Sequence, residues 1–444
     1  MRKSVRSTMK KKTLLVAFCL AAITQAQTTP PTPPQPQRLS LQEAVALALK
    51  NHPQVIAAEN EVEVGRQEVV EARAPYFPVL SGDVTGSQGN RDARIGAGDL
   101  TDSRLFNRFG QGIQFSQLIS DSGRTDNLVA SSRLRAQATA QDLLSTRYGV
   151  VLAVNRAYYN VLHAQAVVKV AQQTVSVRQL LADQVTSLAN HKLRSQLDVS
   201  FADVNVSEAN LLLLRAQDAV DEAYAELARS MGSDQPAQYQ LYDEPLPPSP
   251  PAKPDDLIAQ AFNNRPELAS LRLSQDSATR FYEAERDLSR PTVSLVGVAG
   301  FIPFISQEGG TLTPHEYEGA AVNISVPVLN GHLFAARREA ARYRAREAGQ
   351  HVRDEEERVA RDVRVAWGSA STAFQRIDVT AQFLRQAAMA VQLAQGRYDL
   401  GLSSIIELTQ AQLNQTQAEI ENLSAKYDYQ TEYAALQYAL GLLR

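Results

Sequence analysis

Cysteine is nearly absent. The 444-residue chain has one, Cys19, inside an apolar run near its start. A disulfide framework and a cysteine metal site are both excluded. Histidine is sparse too. His52, His163, His191, His315, His332 and His351 are scattered, with no His-x-x-x-His pair, so neither a metal site nor a cofactor is expected. No glycine-rich phosphate loop and no nucleophile elbow occurs, and no enzymatic activity is expected. Neither sign of charge dominates: the net charge is −3 and the pI about 6.1, which argues against a nucleic-acid partner. Beyond the N-terminal segment no run approaches the ~18 apolar residues of a membrane helix. Yet 44% of residues are hydrophobic, too many for a disordered chain.

What is present begins with an export signal. Residues 1–26 carry Arg2, Lys3, Arg6, Lys10, Lys11 and Lys12 with no acid. An apolar stretch follows and ends at Thr24-Gln25-Ala26, a small-residue cleavage site. Phe18 precedes Cys19 and the apolar run continues past it, which argues against lipidation. Met9 is an alternative start. Cleavage after Ala26 would shift the net charge from −3 to −9 and remove the cysteine.

Proline marks the architecture by its gaps. It clusters at 30–36 and 245–254, which read as extended segments. None occurs between Pro78 and Pro236, or after Pro327. Proline inside a helix costs about 3 kcal/mol, so these gaps permit very long helices. The stretch 124–190 predicts a helix of about 100 Å. After residue 195 a heptad seam runs Val199, Ala202, Val206, Ala209, Leu213, Ala216, Val220, Ala223, Leu227. Its period of 3.5 specifies left-handed coiled-coil packing.

The chain is also a tandem repeat. Ala48-Leu49-Lys50-Asn51-His52-Pro53 returns as Ala261-Phe262-Asn263-Asn264-Arg265-Pro266, and Pro78 returns as Pro291 at the same offset of 213. Further on the offset is 209. Arg133 and Arg135 match Arg342 and Arg344; Ser195, Asp198 and Ala202 match Ser404, Glu407 and Ala411. Each repeat predicts a short helix (40–51, 255–264), a helix opened by proline (53–74, 266–289), two strands, a long helix and a return helix. The strands are expected at about 79–88, 109–118, 292–301 and 318–327, with loops at 87–107 and 303–316. Their alternation of apolar with small or polar residues is that of a transmembrane β-barrel, least clearly after Pro291. Four strands cannot close a barrel, so a barrel would have to be shared between chains. The acidic run 354–357 reads as a solvated helix face paired with Arg353, Arg358 and Arg361.

Several segments together resemble the TolC-type outer-membrane efflux protein family. They are Leu39-Ser40-Leu41-Gln42-Glu43-Ala44-Val45 leading to Asn51-His52-Pro53, the stretch 74–78, Ser116-Gln117-Leu118-Ile119-Ser120-Asp121-Ser122-Gly123-Arg124, and Arg397-Tyr398-Asp399-Leu400-Gly401-Leu402 leading to Glu407-Leu408. Ser325-Val326-Pro327-Val328-Leu329-Asn330-Gly331 is similar to the second-repeat junction of strand and helix. The resemblance implies a mainly helical chain with a transmembrane β part. Three chains of four strands would form a 12-stranded outer-membrane barrel above a periplasmic α-barrel. The domains would be a signal peptide (1–26), a Pro-rich leader (27–38), a first repeat (39–235), an equatorial linker (236–254) and a second repeat (255–444).

The implied function is the exit duct of a tripartite efflux or type I secretion system in a Gram-negative outer membrane. Its partners would be two further copies of the chain, a periplasmic adaptor, an inner-membrane pump of RND, ABC or MFS type, and outer-membrane lipid. The family's adaptor contacts would fall on Leu193, Arg194, Ser195, Gly401, Leu402 and Ser403, at turns 190–195 and 398–404. Its periplasmic constriction would involve Asp198 and Glu407. The family's second constriction acid and its arginine link would fall at Gln410 and Ser403, where this chain has neither. A periplasmic coiled-coil scaffold without channel activity is the alternative.

Overall fold

The computed structural model describes residues 38–88, 107–233, 239–251, 253–306 and 316–443. The signal peptide, all but the last residue of the leader, and most of the two inter-strand loops lie outside the described residues.

Each repeat opens with a pair of helices whose second member is begun by proline; only the first repeat's pair has side-chain caps. Helix α1 (Leu41–Asn51) starts at Ser40, whose Oγ accepts from the Glu43 N–H while Glu43 accepts from the Ser40 N–H. This capping box satisfies two donors that a helix start leaves open. Pro53 then begins α2 (Pro53–Arg73) at the position where a missing N–H costs nothing. In the second repeat α5 (Asp255–Asn264) and α6 (Pro266–Asp287) repeat the arrangement.

The long helices are α3 (Arg124–Asn190) and α7 (Leu333–Asp399), each of 67 residues. Their return helices α4 (Gln196–Ser230) and α8 (Ile405–Ala439) each have 35. α2 and α4 pack along α3, while α6 and α8 pack along both α3 and α7. The ends of α2 and α4 meet, because Gly232 lies against Asn51 and His52; Gly441 meets Asn264 and Arg265 in the same way. The α4 seam is buried at Val199, Ala202, Ala209, Ala216, Ala223 and Leu227. Alanine at alternate positions lets the backbones approach closely.

The four long strands are β2 (Val79–Ser87), β3 (Asn107–Ser120), β5 (Thr292–Ser306) and β6 (Glu316–Ser325). They form one antiparallel sheet in the order β2-β3-β5-β6. The register aligns Leu80 with Phe115, Gly82 with Ile113 and Phe115 with Gly297, and Leu295 with Val322. One face therefore carries Leu80, Val84, Ile113, Phe115, Leu295, Val322 and Ile324. The other carries Ser81, Asp83, Thr85, Gln114, Ser116 and Asn323. Val296 and Val298 fall on this second face, which is why β5 alternates poorly in the sequence. β5 also runs past the expected loop start at 303. Pro303 lies beyond the last residue of β5 paired with β6, near a register shift against β3, where a lost N–H is tolerated. β6 ends at Ser325, short of the expected 327, because Pro327 cannot donate to a ladder.

The Pro-rich linker is pinned where it is described, over 239–251. Arg38–Leu39 (β1) pairs in parallel with Gln240–Leu241 (β4). The Tyr158 hydroxyl donates to the carbonyls of Leu39 and Tyr242 at 3.0 and 2.9 Å. Trp367 Nε1 donates to the Pro251 carbonyl at 2.7 Å and Gln430 Nε2 to the Glu244 carbonyl at 2.8 Å. Tyr429 donates to the Pro248 carbonyl. Proline lacks an N–H but keeps its acceptor, so a proline-rich strap suits a belt of tyrosine and tryptophan donors. Burial pushes the Tyr158 and Tyr159 hydroxyls up to about 12.

The acidic run on α7 is not a uniformly solvated face. Of the three expected arginines only Arg358 pairs with it among the described residues, at 2.7 Å from Asp354 and 3.8 Å from Glu355. Glu355 turns inward toward Arg265, and Glu356 pairs with Arg272 of α6 at 3.0 Å. Burial raises the Glu355 carboxyl above its usual range.

Candidate functional site: the hairpin tips

The two helical hairpins turn with one geometry. After α3, Lys192 takes a left-handed φ of +62°, and the Leu193 N–H returns to the Leu188 carbonyl at 2.9 Å. After α7, Gly401 takes φ +72°, and the Leu402 N–H returns to the Arg397 carbonyl at 2.8 Å. These reverse bonds close helix ends that would otherwise leave carbonyls open. The glycine is legible in the sequence. Lys192 at the equivalent position is not, because lysine carries no preference for this conformation.

The two candidate acids sit at the third position of the return helices, in different company. Asp198 forms a capping box with Ser195: its Oδ2 accepts from the Ser195 N–H and the Ser195 Oγ accepts from the Asp198 N–H, both at 3.1 Å. Ser404 makes no side-chain cap, and Glu407 instead pairs with Arg397 at 3.3 Å. Both partners of that pair are about half exposed, so it contributes at most about 1 kcal/mol. Among the described residues no hydrogen bond or ion pair joins Asp198 to Glu407. Gln410 bonds Asn414 at 3.1 Å.

Arg194 joins the two tips. Its Nη2 donates to the Tyr398 carbonyl at 2.9 Å, and its guanidinium stands 4.2 Å from the centre of the Tyr398 ring. The charge faces the ring's negative quadrupole. Tyr398 is 3% exposed, and its hydroxyl has no partner. Burial raises its pKa, with Arg194 opposing. Beneath it Leu181, Val185, Val199, Ile405 and Leu408 form one core shared by all four helix ends.

Outside that core the tips are apolar and open. Leu193 is 69% exposed, Leu402 67% and Leu400 75%; Leu197 and Ile406 are exposed as well. Ser195 and Gly401 are exposed, while Ser403 is half-buried with an unpartnered Oγ. Sequence reasoning named Leu193 and Leu402 but missed Leu400, Leu197 and Ile406, whose outward direction depends on the helix phase at the turn. It also missed the polar seam above the tips. There Arg178, 5% exposed, donates to the Asn205 carbonyl at 3.0 Å, and Asn205 Nδ2 donates to Thr409 at 3.2 Å. Burial lowers the Arg178 pKa, with Glu208 opposing.

Chemically this end of the molecule is an apolar rim beside exposed carboxylates. Among the described residues no three His, Cys, Asp or Glu side chains could hold a metal ion. No described helix is long and apolar enough to cross a membrane.

The chain resembles known proteins over nearly its whole length. It is 24% identical over 420 residues to outer membrane protein TolC of Salmonella enteritidis, covering 92% of this chain and 83% of that one. It is 26% identical over 426 residues to the alkaline protease secretion protein AprF of Pseudomonas aeruginosa, covering 91% and 85%. Its fold matches the solved structure of CusC, described as forming a transmembrane channel, with a TM-score of 0.77 at 19% identity over 90% of this chain and 92% of that one. The outer membrane efflux protein family matches residues 44–233 and 257–442, one segment in each half of the duplicated chain. The protein belongs to the outer membrane efflux protein family and is an outer-membrane efflux or secretion channel.

Proposed function

We propose that three copies of this chain form a closed exit duct, with a 12-stranded barrel in the outer membrane and a tunnel of helices in the periplasm. The observation that carries this reading is the four-stranded sheet, mostly apolar on one face and, apart from residues such as Val296 and Val298, mostly polar on the other. Its edge strands β2 and β6 have free outer sides among the described residues. Four strands are too few to close and free edges seek partners. In this reading 39–235 and 255–444 are the two repeats, and the strap 236–254 belts the tunnel at its equator. A periplasmic scaffold would need the helices but would have no use for a sheet with an apolar outer face.

The duct receives substrate from an inner-membrane pump of RND, ABC or MFS type through a periplasmic adaptor. The adaptor docks on the tips, at Leu193, Arg194, Ser195, Gly401, Leu402 and Ser403. Open leucines there provide apolar area and Arg194 sets register. Asp198 and Glu407 line the constriction, where three-fold repetition brings like charges together and favours cations. Among relatives, AprF carries a secretion name and SrpC of Pseudomonas putida a solvent-efflux name, so protein export and small-molecule efflux are both within the family's range.

Native mass spectrometry of the detergent-extracted protein tests the assembly, and a trimer is expected. A monomer that forms no channels in planar bilayers would overturn the reading. Adaptor capture tests the tips: Leu193→Ser with Leu402→Ser should weaken it at least tenfold while the trimer persists.

A further inference from the structure

We propose that a cleft between α3, α6 and α7 binds small organic anions. Arg135 of α3 and Arg344 of α7 both line it, together with Ser274, Ser277 and Phe281 of α6, which packs against both long helices. The two arginines occupy equivalent places in the two repeats, 209 residues apart. Among the described residues neither guanidinium has a carboxylate or a hydrogen-bond acceptor. Nearby, Arg337 is held by Glu285 at 2.8 Å and Arg342 by Glu339 at 2.6 Å; Arg133 and Arg338 have no carboxylate partner among the described residues either, but they do not line the cleft. The duplication therefore sets two uncommitted forks around one space.

The rest of the lining suits the same ligand. The cleft holds about 380 Å³, within the roughly 300–1,000 Å³ of small-molecule sites. Ser131 and Ser277 bond each other at 2.9 Å and tie α3 to α6, which fixes the wall. Ser274 Oγ makes no bond among the described residues and is a third donor. Phe281 gives the cleft an apolar side. Guanidinium forks match phosphate, sulfonate and carboxylate oxygens in pairs. The chemistry selects an anionic head on a short aromatic or apolar body.

The position bears on transport. On α3, Arg135 stands about 140° round the helix from Tyr158, at ~100° per residue. Tyr158 faces the β1–β4 strap, so Arg135 lies well round α3 from the strap side, which in the channel reading is the tunnel side. That placement rests on the channel reading. Anion binding does not, because one chain supplies every residue.

The probe is phenyl phosphate, titrated calorimetrically into the full-length detergent-solubilised protein. Saturable binding is expected, about tenfold weaker in Arg135→Ala or Arg344→Ala and unchanged in Arg338→Ala. The Arg135→Lys/Arg344→Lys pair keeps charge and length but loses the forks. It should bind about threefold weaker, and it carries the test if an alanine variant does not assemble. No saturable binding, or equal binding by wild type and the variants, overturns the proposal. Inorganic phosphate bound as tightly as phenyl phosphate removes the role of Phe281. In planar bilayers phenyl phosphate should reduce single-channel current; binding without block keeps the site and overturns only its placement in the tunnel.

Discussion

Gly232 packs against His52 so closely that a Cβ on Gly232 would lie 2.8 Å from the His52 Cα. The contact is where the end of α4 meets the start of α2. Gly441 repeats it in the second half, where a Cβ would lie 3.0 Å from the Arg265 nitrogen. Both glycines have positive φ, +70° and +68°. Two shorter helices thereby act as one column beside each 67-residue helix.

Gly232→Ala should therefore destabilise the protein by roughly 2–5 kcal/mol, combining left-handed strain of about 1–2 with overpacking of about 1–3. Gly401→Ala is the comparison. It also has positive φ, but nothing lies within 4 Å of its Cβ position, so only the roughly 1–2 kcal/mol strain remains. Thermal unfolding of both variants checks the order.

Tyr398→Phe should be neutral or stabilising by up to about 1 kcal/mol, because it removes a buried hydroxyl that has no partner. Arg194→Ala should instead loosen the second tip. Faster amide exchange at 398–404, with the helix interiors unchanged, is the expected signature.

Glu407→Gln should reduce divalent-cation block of single-channel current by severalfold, because the proposed trimer would set three copies of this carboxylate in a ring. Asp198→Asn should have a smaller effect on block and a larger one on stability, about 1 kcal/mol, through its capping box with Ser195. Block that is unchanged in both variants would remove these acids from the constriction.

Stability should fall on acidification through His163. Its Nε2 sits 2.8 Å from Ser424 Oγ, and burial lowers its pKa, with Asp428 opposing. A depressed histidine pKa means that the unfolded chain binds the proton first. The contribution of neutral His163 is complete above the unfolded value of about 6.5 and is lost as pH falls through the lower folded value. His163→Gln should flatten the dependence of melting temperature on pH between about 7 and 5; His52, depressed by burial and by Arg229, would supply a remaining slope.

The helices were legible because local chemistry fixes them. Pro53, Pro266 and the proline-free runs mark starts and spans within a few residues. The strand faces were legible where Ile113, Phe115, Val322 and Ile324 alternate with small or polar residues, and poorly so at Val296 and Val298, where both faces are apolar. The tip acids were named as equivalents, yet Asp198 bonds Ser195 while Glu407 reaches Arg397. That difference depends on the side-chain directions of a neighbouring helix end, which no spacing encodes.

By itself the sequence determined a duplicated, mainly helical chain with two long hairpins and four strands too few to close. Periodicity, proline placement and repeat offsets act along the chain, so they survive in one dimension. Tertiary structure alone decided that Arg194 covers Tyr398, that a proline-rich strap is held by Tyr158, Trp367 and Tyr429, and that Arg135 and Arg344 share a cleft. Each of these joins residues more than eighty positions apart, and which atoms meet is set by how the helices pack.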